Sequence, residues 1–186
     1  MTSEVTTTAD VRIDTHIRKG LMVVATRQYQ PGDLVVIGRA VQVVPHRTIH
    51  SFQVDWEAHV DLDEPARYIN HSCDPNTGIH DNSYGGFDFI ALREIAPNKE
   101  ITWDYETSEY ISIAVSHCLC GATNCRTVIR GFGHRRHDLH WRPTHLAHYL
   151  HGEVTANTLT ATPRTMSTSV ASGPVNGRCQ GDADRQ

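Results

Sequence analysis

Short apolar runs broken by glycine, proline and asparagine dominate the first two thirds of the chain. From Asp10 to Val44 the pattern is β-like, with Leu-Met-Val-Val-Ala at 21–25 and Asp-Leu-Val-Val-Ile at 33–37. Between them Gln30-Pro31-Gly32-Asp33 is a turn signal. Val41 to Val44 is a further run ending at Pro45, and Phe87 to Leu92 reads as another strand, bounded by Gly85-Gly86 and Ala96-Pro97-Asn98. Few stretches before residue 135 carry a helical period, so the pattern predicts a mainly β domain of short strands.

Residues 134–151 differ. His134, His137, His140, His145, His148 and His151 accumulate there, and Leu146, Tyr149 and Leu150 are spaced for a short helix after Pro143. After Gly152 there is no aromatic residue, and Thr, Ser, Ala and Gly dominate. That composition buries too little apolar surface to offset its ordering entropy, which predicts a disordered tail at 152–186. Residues 1–9 are polar and threonine-rich, a flexible lead-in.

Composition agrees: 39% hydrophobic residues are thin for a core spanning all 186 positions. Formal charge is −4, from 17 basic and 21 acidic residues, so no overall basic field would hold a phosphate backbone and no nucleic-acid partner is expected. No apolar run approaches the ~20 residues a bilayer span requires. The first residues have neither a basic start nor an apolar stretch, so no secretory signal is expected. A cytoplasmic protein follows, or a nuclear one in a eukaryote. The 5 cysteines then need a reason other than extracellular disulfides.

Cys118-Leu119-Cys120-Gly121-Ala122-Thr123-Asn124-Cys125 supplies that reason. Thiols in a C-x-C-x4-C array, with a glycine to turn the chain, can point at one centre. Thiolates suit zinc, which takes four ligands when its role is structural. This segment offers Cys118, Cys120 and Cys125, so the fourth ligand comes from elsewhere. The choices are Cys73 and Cys179, and Cys179 sits in the predicted tail, which favours Cys73. Ordinary buried thiols are the competing reading, and their crowding within one short segment argues against it.

Cys73 lies in Arg67-Tyr68-Ile69-Asn70-His71-Ser72-Cys73-Asp74-Pro75-Asn76, and downstream runs Glu100-Ile101-Thr102-Trp103-Asp104-Tyr105. Singly these are weak signals. Together, in order and spacing, they resemble the two central motifs of the SET-domain family of S-adenosylmethionine-dependent protein lysine methyltransferases. The cysteine array resembles that family's post-SET zinc element, and Ala25-Thr26-Arg27 with Pro31-Gly32-Asp33 its first strand and turn. The resemblance covers about residues 10–133.

It implies a SET-type fold, with short strands in small sheets and a knot-like arrangement around the cofactor. The implied division is a SET domain at 10–115, a post-SET zinc segment at 116–133 and the His-rich short helix at 134–151. By the same resemblance Asn70 and His71 contact S-adenosylmethionine, with Arg67 and Tyr68 beside the pocket. Tyr105 is the catalytic residue at the methyl-transfer channel and also touches the cofactor. Leu119 and Phe132 are implied lids over the adenine. Cys73 joins Cys118, Cys120 and Cys125 around one structural zinc ion.

The chain departs from the family pattern at three places. The family's Gly-x-Gly is here Gly20-Leu21-Met22, so a Met side chain at the cofactor wall must turn away or fill space. Trp103 stands where Phe or Tyr is common, at the position associated with how many methyl groups fit. The segment between Val44 and Arg67, part of the substrate groove in the family, is short.

The expected chemistry is methyl transfer to a lysine amine of a protein. Tyr68, Trp103 and Tyr105 would line a narrow channel that disfavours the ammonium by desolvation. Two alternatives follow from the departures: a SET-like enzyme acting on a small-molecule amine or performing another S-adenosylmethionine-dependent reaction, and a non-catalytic binding module. In the His-rich segment, His145 and His148 could share a helix face as metal ligands. No carboxylate or cysteine completes such a set, and Arg135, Arg136 and Arg142 lie close, so solvated or substrate-facing histidines are expected.

Overall fold

The structure is a computed structural model describing residues 10–138 and 140–153. The lead-in at 1–9, Cys179 and the tail beyond 153 lie outside the described residues. The chain is mainly β, as the apolar runs predict. An antiparallel hairpin pairs β1 (Val11–His16) with β2 (Gly20–Ala25), in the register His16 to Gly20 and Val11 to Ala25. Gly20 sits at φ +78°, a left-handed value that lets the chain re-enter the strand after the turn.

β3 (Leu34–Gly38) is the edge of a sheet of three strands, ordered β3, then β9 (Phe87–Ala91), then β8 (Thr77–Asp81). Alternation along β9 buries Phe87, Phe89 and Ala91 and leaves Asp88 and Ile90 half-buried. A second three-stranded sheet runs β4 (Ala40–Val44), β6 (Ala58–Leu62), β5 (Phe52–Asp55). β5, β6 and β8 did not stand out in the sequence, because each is short and interrupted by His, Gln or Asp.

The smallest sheet matters most. β7 (Asn70–His71) pairs in parallel with β10 (Thr102–Trp103). Asn76 reinforces it: its Nδ2 donates to the Glu100 carbonyl at 2.8 Å, and its Oδ1 accepts from the Thr102 N–H at 2.8 Å. The two sequence motifs thereby meet side by side. A 3₁₀ turn at Ala66–Tyr68 leads into the first, and a 3₁₀ turn at Tyr105–Thr107 leaves the second. Trp103 is 1% exposed, stacked on Phe52 at 5.9 Å and edge-on to Phe89 at 5.8 Å. Truncating an aromatic so placed typically costs about 3–5 kcal/mol.

In the His-rich segment His134, His137, His140, His148 and His151 are exposed, as expected of solvated histidines, while His145 is half-buried and helical turns beyond residue 135 fall at the segment's last residues. Helix α1 (Phe132–Arg135) precedes it, and a 3₁₀ turn covers His148–Leu150. Leu146, Ala147 and Leu150 are buried in the main core. His145 stacks on His80 of β8 at 4.7 Å, directly over Gly78, where any Cβ would stand 2.5 Å from the His145 ring. The His148 N–H donates to Asp81 at 2.8 Å. Packing against β8 thus overrides helical spacing, and His145 and His148 do not present a shared metal face. No helix among the described residues is long and apolar enough to cross a membrane.

Candidate active site

The start of β2, the β7–β10 pair and the 3₁₀ turn at Tyr105–Thr107 converge on one cavity. One compartment, about 240 Å³, is bounded by Gly20, Phe52, Tyr68, Trp103 and Tyr105. An adjoining one, about 320 Å³, is bounded by Val115, Leu119 and His71. Asn70 and Tyr105 stand on the walls of both, and so mark their junction.

Asn70 is fixed there by two hydrogen bonds. Its Nδ2 donates to the Leu21 carbonyl at 3.0 Å and to Glu100 Oε1 at 3.1 Å. The other oxygen of Glu100 takes Lys19 Nζ at 2.5 Å. This chain of contacts holds the Gly20-Leu21 backbone against the cavity, and a Cβ at Gly20 would meet nothing within 4 Å. Met22 is displaced from the site: it pairs with Asp14 in the hairpin and lines none of these compartments, so its side chain turns away.

His71 is buried, and both ring nitrogens are engaged. Nδ1 accepts the Tyr105 N–H at 3.2 Å, which leaves the ring proton on Nε2, 3.3 Å from Cys73 Sγ. Burial, helped by the nearby Arg126 charge, holds His71 down at about 3, so the ring is neutral. Its role therefore extends beyond lining a pocket, because it links Tyr105 to the cysteine cluster. The Tyr105 hydroxyl donates to the Ile69 carbonyl at 3.1 Å. Burial pushes that hydroxyl well above its ordinary range, with the Glu109 and Glu100 charges adding to the effect. It stays protonated, its proton is committed to Ile69, and its lone pairs remain available.

Tyr68 lines the smaller compartment, its hydroxyl donating to Glu64 at 2.8 Å and its ring under the Arg67 guanidinium at 5.5 Å. Trp103 forms the floor as part of the core. Phe132 belongs elsewhere. At 1% exposure it packs against Tyr110 and Trp141 and lines none of these compartments, so it is a core residue and not a lid. Leu119 does stand on the wall of the larger compartment.

Cys73, Cys118, Cys120 and Cys125 place their sulfurs within 4.8 Å of one another, and none forms a disulfide. Cys73 and Cys118 are 3.9 Å apart. Tetrahedral zinc with sulfur at ~2.3 Å requires sulfurs ~3.8 Å apart, so the set fits. Burial pushes the Cys73 and Cys118 thiols up, and four thiolates here would need a cation to offset their charge. The Arg126 N–H points at Cys73 Sγ at 3.3 Å, while the Arg126 guanidinium reaches Asp104 at 2.6 Å and Glu106 at 3.2 Å. Glu106 in turn accepts the backbone N–H groups of Arg130 at 3.0 Å and Gly131 at 3.1 Å.

These clamps tie the cysteine segment to the residues flanking Tyr105, and reading the sequence did not single them out. Two carboxylates after an aromatic strand read as surface, and only the burial of Glu106 shows otherwise. Glu100, Lys19 and Glu109 were missed for the same reason.

The SET domain family model matches residues 20–106. Over those residues the chain is similar to a SET domain. Among its relatives are the Drosophila melanogaster histone-lysine N-methyltransferase Set2, 42% identical over 69 residues, covering 36% of this chain and 3% of that protein. A histone-lysine N-methyltransferase of Saccharomyces cerevisiae, H3 lysine-4 specific, is 40% identical over 82 residues, covering 40% of this chain and 8% of that protein. The chain thus spans less than a tenth of these relatives' length. Among solved structures, KRYPTONITE in complex with mCHG DNA and SAH superposes with a TM-score of 0.51 at 26% identity, covering 64% of this chain and 28% of that one. The SET resemblance of the two central motifs and the mainly β fold are borne out.

Proposed function

We propose that this SET domain transfers a methyl group from S-adenosylmethionine to the side-chain amine of a lysine in a protein. The observation that carries the reading is the junction itself. Asn70 and Tyr105 stand where two compartments meet, and an aromatic floor lies on one side. The histone-lysine methyltransferase relatives and the SAH in the KRYPTONITE complex support the substrate class and the cofactor. A formal charge of −4 favours a protein over a nucleic-acid substrate.

When bound, the cofactor supplies a methyl group on a sulfonium sulfur, which leaves as a neutral thioether. Every other requirement falls on the chain. The Gly20-Leu21 backbone and Asn70 hold the donor in place, and Leu119 and Val115 offer apolar surface to an adenine. Trp103, Phe52 and Tyr68 desolvate the incoming amine. The Tyr105 hydroxyl, whose proton goes to the Ile69 carbonyl, would offer its lone pairs to a methyl group held at the junction. Zinc held by Cys73, Cys118, Cys120 and Cys125 would have four protein ligands, and so would position the 118–125 segment without taking part in the transfer.

The test is a methylation assay with isotopically labelled S-adenosylmethionine on whole-cell lysate and on free amines, followed by mass spectrometry. Label on protein lysines supports the reading. Label found only on small amines would replace it with the small-molecule alternative.

A further inference from the structure

Glu109 is 7% exposed, yet its carboxylate stands on the wall of the 240 Å³ compartment that Trp103 and Tyr105 also line. Its Oε1 accepts the Gln53 N–H at 3.0 Å. Its Oε2 makes no hydrogen bond and no ion pair among the described residues. That oxygen is not one of the enclosed, orphaned polar atoms of the core, so a donor entering the compartment can reach it and complete its hydrogen bonding.

The groups around it do not. Arg47, from the loop between β4 and β5, is spent on the Ile111 carbonyl at 2.6 Å. Tyr105 donates to Ile69, and Tyr149, from the last 3₁₀ turn, donates to the Ser108 carbonyl. His50, Arg67 and Lys19 line the same compartment without pairing to the carboxylate. Burial pushes Glu109 up to about 7, against the pull of the Gln53 N–H and Arg47. Near neutral pH it can both carry charge and take a proton.

We propose that Glu109 is the recognition and proton-accepting group for a primary alkylammonium entering this compartment, an inference that rests on the methyltransferase reading above. The ammonium first pairs with Oε2. One N–H bond then breaks, its electron pair staying on nitrogen and its proton passing to the carboxylate, which becomes a carboxylic acid. The freed lone pair forms the new N–C bond to the methyl carbon as the S–C bond breaks, its electrons remaining on sulfur. The product leaves as a secondary ammonium, and Glu109 returns its proton to solvent through the open side of the compartment. Tyr105 is unsuited to that task, because its own proton is firmly held.

The bland role for Glu109 is a staple between β5 and the chain after Tyr105, and the test separates the two. Butylammonium and neutral 1-butanol are titrated into the zinc-loaded full chain with S-adenosylhomocysteine, following the Trp103 indole by NMR. The parent is expected to prefer butylammonium, with affinity rising on the order of tenfold from pH 6 to 8 as the carboxyl ionises. Glu109→Gln keeps an acceptor for the Gln53 N–H, so the staple survives, yet the preference and its pH dependence should vanish.

Equal butylammonium binding in parent and variant overturns the inference. So does pH-independent binding in the parent, which decides the matter even if the variant does not fold. Glu109-dependent ammonium binding without any lysine methylation would sink the function reading alone. Methylation that Glu109→Gln leaves intact would sink this inference alone.

Discussion

The Tyr105 N–H donates to His71 Nδ1 at 3.2 Å, while the opposite nitrogen of that ring faces Cys73 Sγ at 3.3 Å. One imidazole therefore spans from the Tyr105 backbone to a member of the four-cysteine cluster. An N–H directed at a coordinating thiolate sets the ligand's orientation and its basicity. A zinc ion held by the four cysteines would therefore be coupled to the placement of Tyr105 through this ring.

His71→Ala is expected to weaken zinc affinity by roughly 10–100-fold, the usual cost of losing such a partner. Competition with a chromogenic chelator measures it. Cys73→Ser should abolish stoichiometric zinc, and Cys179→Ser should leave it at one ion per chain. Equal losses in the two cysteine variants would show that the ligand set is wrong.

Tyr105→Phe keeps the ring against Trp103 and His71 and removes one hydroxyl. Turnover should fall on the order of 10²-fold with cofactor affinity nearly unchanged, since the hydroxyl acts on the transition state. Asn70→Ala should weaken cofactor binding first. Calorimetry with S-adenosylmethionine, paired with single-turnover rates, distinguishes the two patterns.

Glu109 also makes stability depend on pH. Its folded-state value lies near 7, above the ordinary 4.5, so the folded form holds its proton more tightly than the unfolded chain. The contribution is complete below about pH 4.5 and is lost as pH rises through about 7, amounting to about 3 kcal/mol at most. Denaturant melts of parent and Glu109→Gln should diverge across that window. Parallel curves from pH 4 to 8 would show that the group does not titrate there.

Glu106→Ala removes the buried carboxylate that holds Arg126, Arg135 and the Arg130 and Gly131 N–H groups. Arg126 keeps Asp104 at 2.6 Å and Arg135 keeps Asp138 at 2.7 Å, so the loss falls mainly on the two N–H groups, each costing about 1–3 kcal/mol when left without an acceptor. A lowered melting temperature with reduced zinc retention is expected. A drop no larger than that of an exposed Glu→Ala change would contradict the clamp.

The motifs around Asn70 and Tyr105 and the cysteine quartet were legible because their chemistry needs fixed residue types at fixed spacing. β2 and β3 were legible as apolar runs, and β4 and β9 as runs broken by a single polar residue between turn signals. Phe132 was misplaced and Met22 took the outward of its two options, since a resemblance gives neighbourhood and only packing decides which way a side chain turns. The segment ending in Leu150 looked helical because Leu146, Tyr149 and Leu150 have that spacing. The spacing instead serves burial against β8 and β5. Glu100, Glu106 and Glu109 were hidden by their type, because a carboxylate in a sequence does not announce its burial.

The parallel pairing of β7 with β10 is only two residues long, yet it joins segments about thirty positions apart. The cavity and the cysteine set both straddle that seam, with walls contributed from each side. A ligand settling there cannot bind the unfolded chain in the same way. Its binding free energy is added to folding by mass action, ~2.7 kcal/mol at a hundredfold excess over Kd. Zinc and cofactor should therefore each raise the melting temperature of the whole domain and sharpen its transition. A thermal-shift screen then becomes a direct way to find what this site holds.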